Sequence, residues 1–304
     1  MSDAAESAER HRRLPDFIAV GPPRTATTWL YRALKGHIGL PRDLKETDFF
    51  SNNYGRGIEW YAELFGDCAA GVPIGELSPN YFADADAPER IARHLGRCRI
   101  VVTLRDPVAR AYSFYRLLRH NGWTRGSMLE LVDEYEPLRE SNRYAFHVAR
   151  WQSRFGRENV YIALYDDLET SEQGFLDGIC DFIGAGRISL QGSPLAARRV
   201  NSVTRGPRIA ALAEKAYRLR RWLEGRNQRY LIGALGKAGL WRFSFRGGGE
   251  FGPLDAGVEA ELRRRFEPEV EALEKLIGRD LASWKTARGE RGKSLSDAGS
   301  DQTV

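Results

Sequence analysis

The stretch "FIAVGPPRTATTWLYRALKGH", residues 17–37, decides the fold. Its first four residues are apolar and lead into Gly21, and apolar side chains recur at helical spacing from Thr27 onward. The pattern predicts a buried strand, a turn and a helix in succession. We name the turn, Gly21–Ala26, the phosphate loop, because backbone N–H groups and a helix N-terminus at the end of a strand form a ready anion site.

The phosphate loop departs from the ATP-binding pattern GxxxxGK[ST]. On that pattern Ala26 takes the place of the second glycine and Thr27 that of the lysine, so no cation stands where β- and γ-phosphates are bound. Arg24 supplies a cation earlier in the loop, with the hydroxyls of Thr25, Thr27 and Thr28 nearby. The loop suits a shorter anion than a triphosphate. A plain helix start capped by threonine is the alternative.

Further strands and helices alternate along the chain. The strand candidates are "PIGEL", "CRIVVTLRD" and "NVYIALYDDL", and helix-length segments include "APERIARHLG" and "RYAFHVARWQSRFG". This alternation predicts an α/β fold with a central parallel β-sheet, helices on both faces and ligands at the carboxyl ends of the strands.

The absence of an internal repeat or a low-complexity linker predicts a single domain over residues 14–286. Residues 1–13 and 287–304 read as flexible tails, because they lack apolar periodicity. The stretch "SFRGGGEFGPLD", which contains Gly247–Gly249, is expected to be a surface loop or lid, with a helix after it.

Composition sets broad limits on the function. The chain has 304 residues, 42% hydrophobic and 29% charged, as in ordinary soluble domains. The net charge of +5 comes mostly from arginine, which favours anionic ligands, although coding bias would give the same excess. Three widely spaced cysteines exclude a disulfide scaffold and a CxxC metal site. With no signal peptide or apolar span in the sequence, we expect a soluble, cytoplasmic protein without membrane insertion.

A second polar motif, "LRDPVARAYSFY", follows the third strand candidate. Arg105 leaves that strand, and Ser113 lies eight residues later. If a helix starts near Pro107, both side chains could share one anion. A local ion pair between Arg105 and Asp106 in a turn is the alternative.

Together these motifs resemble the sulfotransferases that use 3′-phosphoadenylyl sulfate (PAPS). Their 5′-phosphosulfate motif, P-[KR]-x-[GA]-T-[TS]-x-[LM], is matched by Pro23–Leu30, and their 3′-phosphate motif, R-D-P-x-x-R-x-x-S, by Arg105–Ser113. The resemblance covers residues 16 to about 185. Three longer stretches are similar to the bacterial and heparan-type branch: "LKETDFFSNNYGRGIEWYAELF", "GELSPNYF" and "LYDDLETSEQGFLDGICDFIG".

The resemblance implies a P-loop-NTPase-like fold, PAPS as donor, 3′,5′-ADP as product and no metal. The donor-binding residues that it implies are Arg24, Thr25, Ala26, Thr27, Thr28, Trp29, Arg105 and Ser113, with Arg205 and Arg208 of "RRVNSVTRGPR" as weaker candidates. Arg24 would also neutralise charge on the oxygen that leaves sulfur.

Glu46 matches the catalytic glutamate of the heparan-type enzymes, and burial beside Phe49 and Phe50 could tune its carboxylate. His120 is the reserve candidate for the base. A solvated Glu46 paired with Lys45 is the alternative interpretation.

The acceptor implied is a hydroxyl, less readily an amine, of a glycan-like or secondary-metabolite molecule. Leu77 and Ser51 replace a lysine and an aspartate of the heparan-type enzymes, so heparan itself does not follow. A bacterial tailoring enzyme fits the chain, and no nucleic-acid partner is expected. The alternatives are an atypical P-loop kinase, which the missing lysine argues against, and a non-catalytic anion-binding module.

Overall fold

The computed structural model describes residues 13–124, 126–193, 195, 205–207, 210–226, 231, 235 and 247–286. Apart from Arg13, the tails predicted at 1–13 and 287–304 lie outside the described residues. The strands are β1 (Phe17–Val20), β2 (Gly75–Leu77), β3 (Arg99–Leu104), β4 (Val160–Leu164), β5 (Arg205–Pro207) and β6 (Gly247–Glu250). The helices are α1 (Thr27–Leu34), α2 (Ile58–Glu63), α3 (Ala87–Leu95), α4 (Pro107–His120), α5 (Met128–Glu134), α6 (Glu136–Ser141), α7 (Tyr144–Phe155), α8 (Tyr165–Thr170), α9 (Glu172–Ile183), α10 (Ala210–Gly225), α11 (Ala256–Ile277) and α12 (Ala282–Lys285).

Four strands form a parallel sheet in the order β2-β1-β3-β4. Ile18 of β1 pairs with Glu76 of β2 on one side and with Ile100 of β3 on the other, so β1 is central. Helices flank the sheet, and the predicted α/β fold is confirmed. The phosphate loop begins where β1 ends. Because β1 is hydrogen-bonded to β2 and to β3, the position of the first residue of the loop is fixed by the sheet.

Successive side chains of β1 point to opposite faces of the sheet, and both faces are buried. Phe17 and Ala19 of β1 lie in one apolar cluster with residues of α1 and α9. Ile18 and Val20, which alternate with them, point to the opposite face and are also fully buried. Burial on both faces explains why β1 is a continuous apolar run.

The chain divides into two compact units. The first comprises residues 1–106, 140–200 and 268–281 and contains the parallel sheet. The second comprises residues 107–139, 201–267 and 282–304 and has its own apolar cluster, which includes Val108, Leu131 and Leu262. The prediction of a single domain over 14–286 stays a prediction.

The sequence predicted a surface loop or lid for the glycine-rich stretch near residue 250, but part of this stretch is a strand. Gly247–Glu250 forms β6, which pairs antiparallel with β5, and Arg205 lies opposite Glu250. Pairing with a second strand supplies the backbone hydrogen bonds and overrides the weak strand propensity of three glycines. The helix predicted after this stretch is confirmed as α11.

Candidate active site

The phosphate loop is locked against β3 at its first residue. Gly21 has φ +144°, and a Cβ there would lie 2.3 Å from Thr103 Oγ1 and 2.4 Å from Thr103 O. Thr25 Oγ1 donates to Pro22 O at 2.8 Å and lies 2.7 Å from Thr103 Oγ1. The Thr25 hydroxyl is therefore hydrogen-bonded within the protein, and it links the phosphate loop to its own start and to β3.

The rest of the loop includes left-handed backbone and leads into the start of α1. Arg24 and Ala26 adopt φ +82° and +74°, and Ala26 is the N-cap of α1 without a side-chain cap, which excludes threonine capping. Leu30 N donates to Ala26 O at 3.0 Å, so the N–H groups of Thr27–Trp29 precede the first hydrogen bond within the helix. Such N–H groups at a helix start favour a bound anion.

Arg105 brings a second cation to this loop. Its Nη1 donates to Arg24 O at 3.5 Å, and its guanidinium lies 4.2 Å from the ring centre of Tyr165, the first residue after β4. Tyr144 Oη donates to Arg105 O at 3.0 Å. The ends of β1, β3 and β4 thus meet around Arg105, at the carboxyl edge where the sequence predicted a ligand.

Trp29 lies in the core. Its side chain is 4% exposed and packs edge-on against Phe175 of α9, with ring centres 5.8 Å apart. Its Nε1 is buried and has no partner among the described residues. The indole is enclosed by protein, and the predicted contact of Trp29 with PAPS stays a prediction.

Four further predicted residues belong to the second unit. Ser113 is 4% exposed in α4, and His120 is the last residue of that helix. The helix does begin at Pro107, as predicted. Arg205 begins β5, but its side chain and the whole of Arg208 lie outside the described residues. A shared anion between Arg105 and Ser113 stays a prediction.

Glu46 lies in the segment Lys45–Phe50, which we name the glutamate loop. Its carboxylate forms an ion pair with Lys45, and the two side chains are 33% and 26% exposed. Phe49 and Phe50 are fully buried and pack on Tyr61. Tuning of the Glu46 carboxylate by burial beside these rings stays a prediction. Glu46 is thus a partly exposed carboxylate paired with a cation, and Asp48 of the same loop is also partly exposed.

A second carboxylate, Glu76 of β2, is not among the predicted site residues. It is fully buried, and its carboxylate accepts hydrogen bonds from the hydroxyls of Thr47, Tyr61, Ser78 and Tyr81. We name these five residues the carboxylate cluster. Burial raises the pKa of Glu76, and the four hydrogen bonds oppose that rise. A charged residue inside the apolar strand "PIGEL" is the signal that could have found it.

A cavity of about 590 Å³ lies beside the glutamate loop in the first unit. Its lining includes Lys45, Lys35 and the ion pair of Arg42 with Asp67, whose charged atoms are 3.0 Å apart. The cavity mixes cationic and acidic groups with an apolar wall from Ile38, and it is large enough for a small polar molecule beside Lys45.

No metal-binding group of three or more His, Cys, Asp or Glu side chains occurs in the described part of the chain. No described helix is both long enough and apolar enough to cross a membrane.

Residues 14–196 match the family model described as the sulfotransferase domain. The chain is 32% identical over 196 residues to human bifunctional heparan sulfate N-deacetylase/N-sulfotransferase 3, a match that covers 57% of this chain and 22% of that protein. It is 28% identical over 193 residues to human heparan sulfate glucosamine 3-O-sulfotransferase 3A1, covering 59% of this chain and 47% of that protein. The matches therefore span only about a fifth and about half of these relatives.

A solved sulfotransferase from Alicyclobacillus acidocaldarius has a similar fold. The TM-score is 0.63 at 22% identity, and the match covers 90% of this chain and all of that structure. The family model spans more than half of the chain and includes the phosphate loop, Glu46 and Arg105. The chain belongs to the sulfotransferase domain family.

Proposed function

We propose that the protein transfers a sulfuryl group from PAPS to a hydroxyl, less readily an amine, of a glycan-like or secondary-metabolite acceptor, and releases 3′,5′-ADP. The observation that carries this proposal is the position of Arg105, whose guanidinium lies 3.5 Å from the carbonyl oxygen of Arg24. Arg105 thus lies beside a phosphate loop without a Walker lysine, where it can bind a second phosphate group of the same nucleotide, the 3′-phosphate of PAPS.

The phosphate loop holds the 5′-phosphosulfate in this proposal. The N–H groups of Thr27–Trp29 and the Arg24 guanidinium donate hydrogen bonds to it, and Thr25 contributes through its backbone. As the S–O bond to the phosphate breaks, Arg24 stabilises the negative charge that develops on the leaving oxygen. Arg105 and Ser113 bind the 3′-phosphate, an assignment that rests on the sequence motif.

Glu46 is the proposed general base. It accepts the proton of the acceptor hydroxyl while the oxygen attacks sulfur from the side opposite the leaving phosphate. Its carboxylate is partly exposed and forms an ion pair with Lys45. Glu76 cannot take this role, because it is fully buried.

The acceptor class is supported by the relatives and by the cavity beside Lys45. Both relatives are named for heparan sulfate, one for N- and the other for 3-O-sulfation. Leu77 and Ser51 depart from that branch, so we propose a glycan-like or secondary-metabolite acceptor and not heparan itself.

Labelled PAPS offered with a panel of glycans, phenols and alcohols tests the function. We expect label to appear on at least one acceptor class and 3′,5′-ADP to form in equal amount. Glu46→Gln should slow transfer by about a hundredfold or more, because it removes the base, while affinity for 3′,5′-ADP stays unchanged. Glu63→Gln, at an exposed position of α2, is the matched control and should leave the rate unchanged.

Two results would contradict the proposal. If 3′,5′-ADP neither forms nor binds, the donor assignment is wrong. If Glu46→Gln transfers at the normal rate and His120→Gln does not, His120 is the base.

A further inference from the structure

The carboxylate cluster is built around one fully buried charge. Glu76 Oε1 accepts from Thr47 Oγ1 at 2.5 Å, from Tyr81 Oη at 2.8 Å and from the Ser78 hydroxyl. Its Oε2 accepts from Tyr61 Oη at 2.5 Å. Both carboxylate oxygens are therefore satisfied by neutral donors, without a counter-cation among these contacts.

The cluster reaches the backbone of the glutamate loop at four consecutive residues. Thr47 N donates to Glu76 Oε1 at 3.3 Å, and Asp48 N donates to Ser78 Oγ at 3.5 Å. Phe49 N donates to Thr47 Oγ1 and Phe50 N to Tyr81 Oη, each at 3.1 Å. Four successive backbone N–H groups are thus bonded to Glu76 or to its hydroxyl donors. Thr47 is the residue directly after Glu46.

Stability alone is a poor reason for this arrangement. A buried carboxylate pays a desolvation cost that hydrogen bonds only partly offset, and apolar side chains of similar volume often do as well. A fully satisfied buried polar network does, however, select one backbone conformation. Burial and the nearby Glu76 raise the pKa of both Tyr61 and Tyr81, so both phenols stay protonated and act as donors.

We propose that Glu76 is a positioning residue, whose buried carboxylate fixes the glutamate loop and thereby holds Glu46 where it accepts the acceptor's proton. The inference rests on the proposed function, since it assumes that Glu46 is the base. Glu76 acts through Thr47 and Tyr81 and touches no substrate, because it is fully buried. A base displaced by about 1 Å can lose about a hundredfold in rate.

A double-mutant cycle with Tyr81→Phe tests the proposal. This change keeps the ring but removes the hydroxyl that donates to Glu76 and accepts from Phe50 N. We expect kcat to fall between about 10-fold and 100-fold, with KM for PAPS and affinity for 3′,5′-ADP unchanged. In the Glu46→Gln background, Tyr81→Phe should cause no further fall, because the base that it positions is already gone.

Tyr54→Phe is the matched control. The Tyr54 hydroxyl lies 2.9 Å from His94 Nε2, and its ring packs on Phe49, but it makes no hydrogen bond to Glu76. This variant should keep kcat within about twofold. Tyr61→Phe, which removes only the donor to Oε2, replaces Tyr81→Phe if the latter does not fold, and the same result is expected from it.

The outcomes separate the two proposals. If the hydroxyl deletion leaves kcat unchanged, or slows the normal protein and Glu46→Gln by the same factor, Glu76 does not act through Glu46 and the inference is overturned. If the unmodified protein transfers nothing from PAPS, or if Glu46→Gln is fully active, the proposed function fails and the inference fails with it.

Discussion

The phosphate loop and the glutamate loop are held in place by different forces. In the phosphate loop, the backbone itself is wedged: Gly21 touches β3, and Arg24 and Ala26 adopt positive φ. In the glutamate loop, the backbone is hydrogen-bonded to the Glu76 carboxylate and to the Tyr81 phenol, which lie some 30 residues later in the chain. The phosphate loop also has the buried Thr25 bonds, but of the two loops it is the glutamate loop that is anchored to a buried carboxylate.

The difference matches what each loop has to present. An anion site made of backbone N–H groups works only if the backbone is rigid, because each donor is part of the main chain. A base on a side chain needs one anchor point near it, which Thr47 provides. We therefore expect substitutions that add atoms to a close contact to destabilise the phosphate loop most. Substitutions that remove a buried hydrogen bond should destabilise the glutamate loop most.

Gly21→Ala should have the largest effect on stability. The new Cβ would collide with Thr103, and the residue would keep φ +144°, which together should lower the free energy of unfolding by about 4 kcal/mol. Gly36→Ala is the control, because Gly36 also has positive φ (+88°) but no atom within 4 Å of the added Cβ. It should cost about 1 kcal/mol. Equal losses in urea unfolding would show that the close approach to β3 does not matter.

A pair of threonine-to-valine variants compares the two loops directly. Thr47→Val removes a hydroxyl that donates to the buried Glu76 carboxylate, and we expect it to cost about 2 kcal/mol, as for bonds to charged groups. Thr25→Val removes a hydroxyl whose two partners, Pro22 O and Thr103 Oγ1, are both neutral, and it should cost about 1 kcal/mol. Chemical denaturation measures both. A larger loss for Thr25→Val would reverse the proposed contrast.

The smallest expected effect is the pH dependence that Glu76, the anchor of the glutamate loop, gives to the free energy of unfolding. Burial raises the pKa of Glu76 above its ordinary 4.5, so the folded state binds more protons than the unfolded state just above pH 4.5. The free energy of unfolding contributed by Glu76 therefore falls as pH rises through this window and then levels off. Relative to Glu76→Gln, the normal protein should lose stability between pH 4 and pH 7. A relative gain over that range would mean that the hydrogen bonds outweigh burial.

The phosphate loop could be predicted from sequence because its signals are local. A buried strand, a glycine, an arginine and a helix start follow one another within 21 residues, from Phe17 to His37. Its fixing contact, from Gly21 to Thr103, could not be predicted, since it depends on which strand lies beside β1. Strand order is a property of the whole sheet.

The carboxylate cluster could not be predicted, because its members come from three separate segments. Glu46 was singled out by its motif, and the charge of Glu76 inside an apolar strand is a signal of its own, but nothing in the sequence shows that Thr47 and Tyr61 contact Glu76. The strand β6 was missed for a similar reason, since its partner β5 lies about 40 residues earlier. In each case tertiary contacts, not propensity, decide the structure.

Calorimetric titration with 3′,5′-ADP and with ATP tests most directly whether the phosphate loop belongs to a PAPS site. We expect 3′,5′-ADP to bind more tightly than ATP. Arg105→Ala should weaken the binding of 3′,5′-ADP by about 10-fold to 100-fold, because a charged hydrogen bond to the 3′-phosphate is lost, and it should leave the binding of 5′-AMP unchanged. Tighter binding of ATP, or an equal effect of Arg105→Ala on 5′-AMP, would contradict a PAPS site.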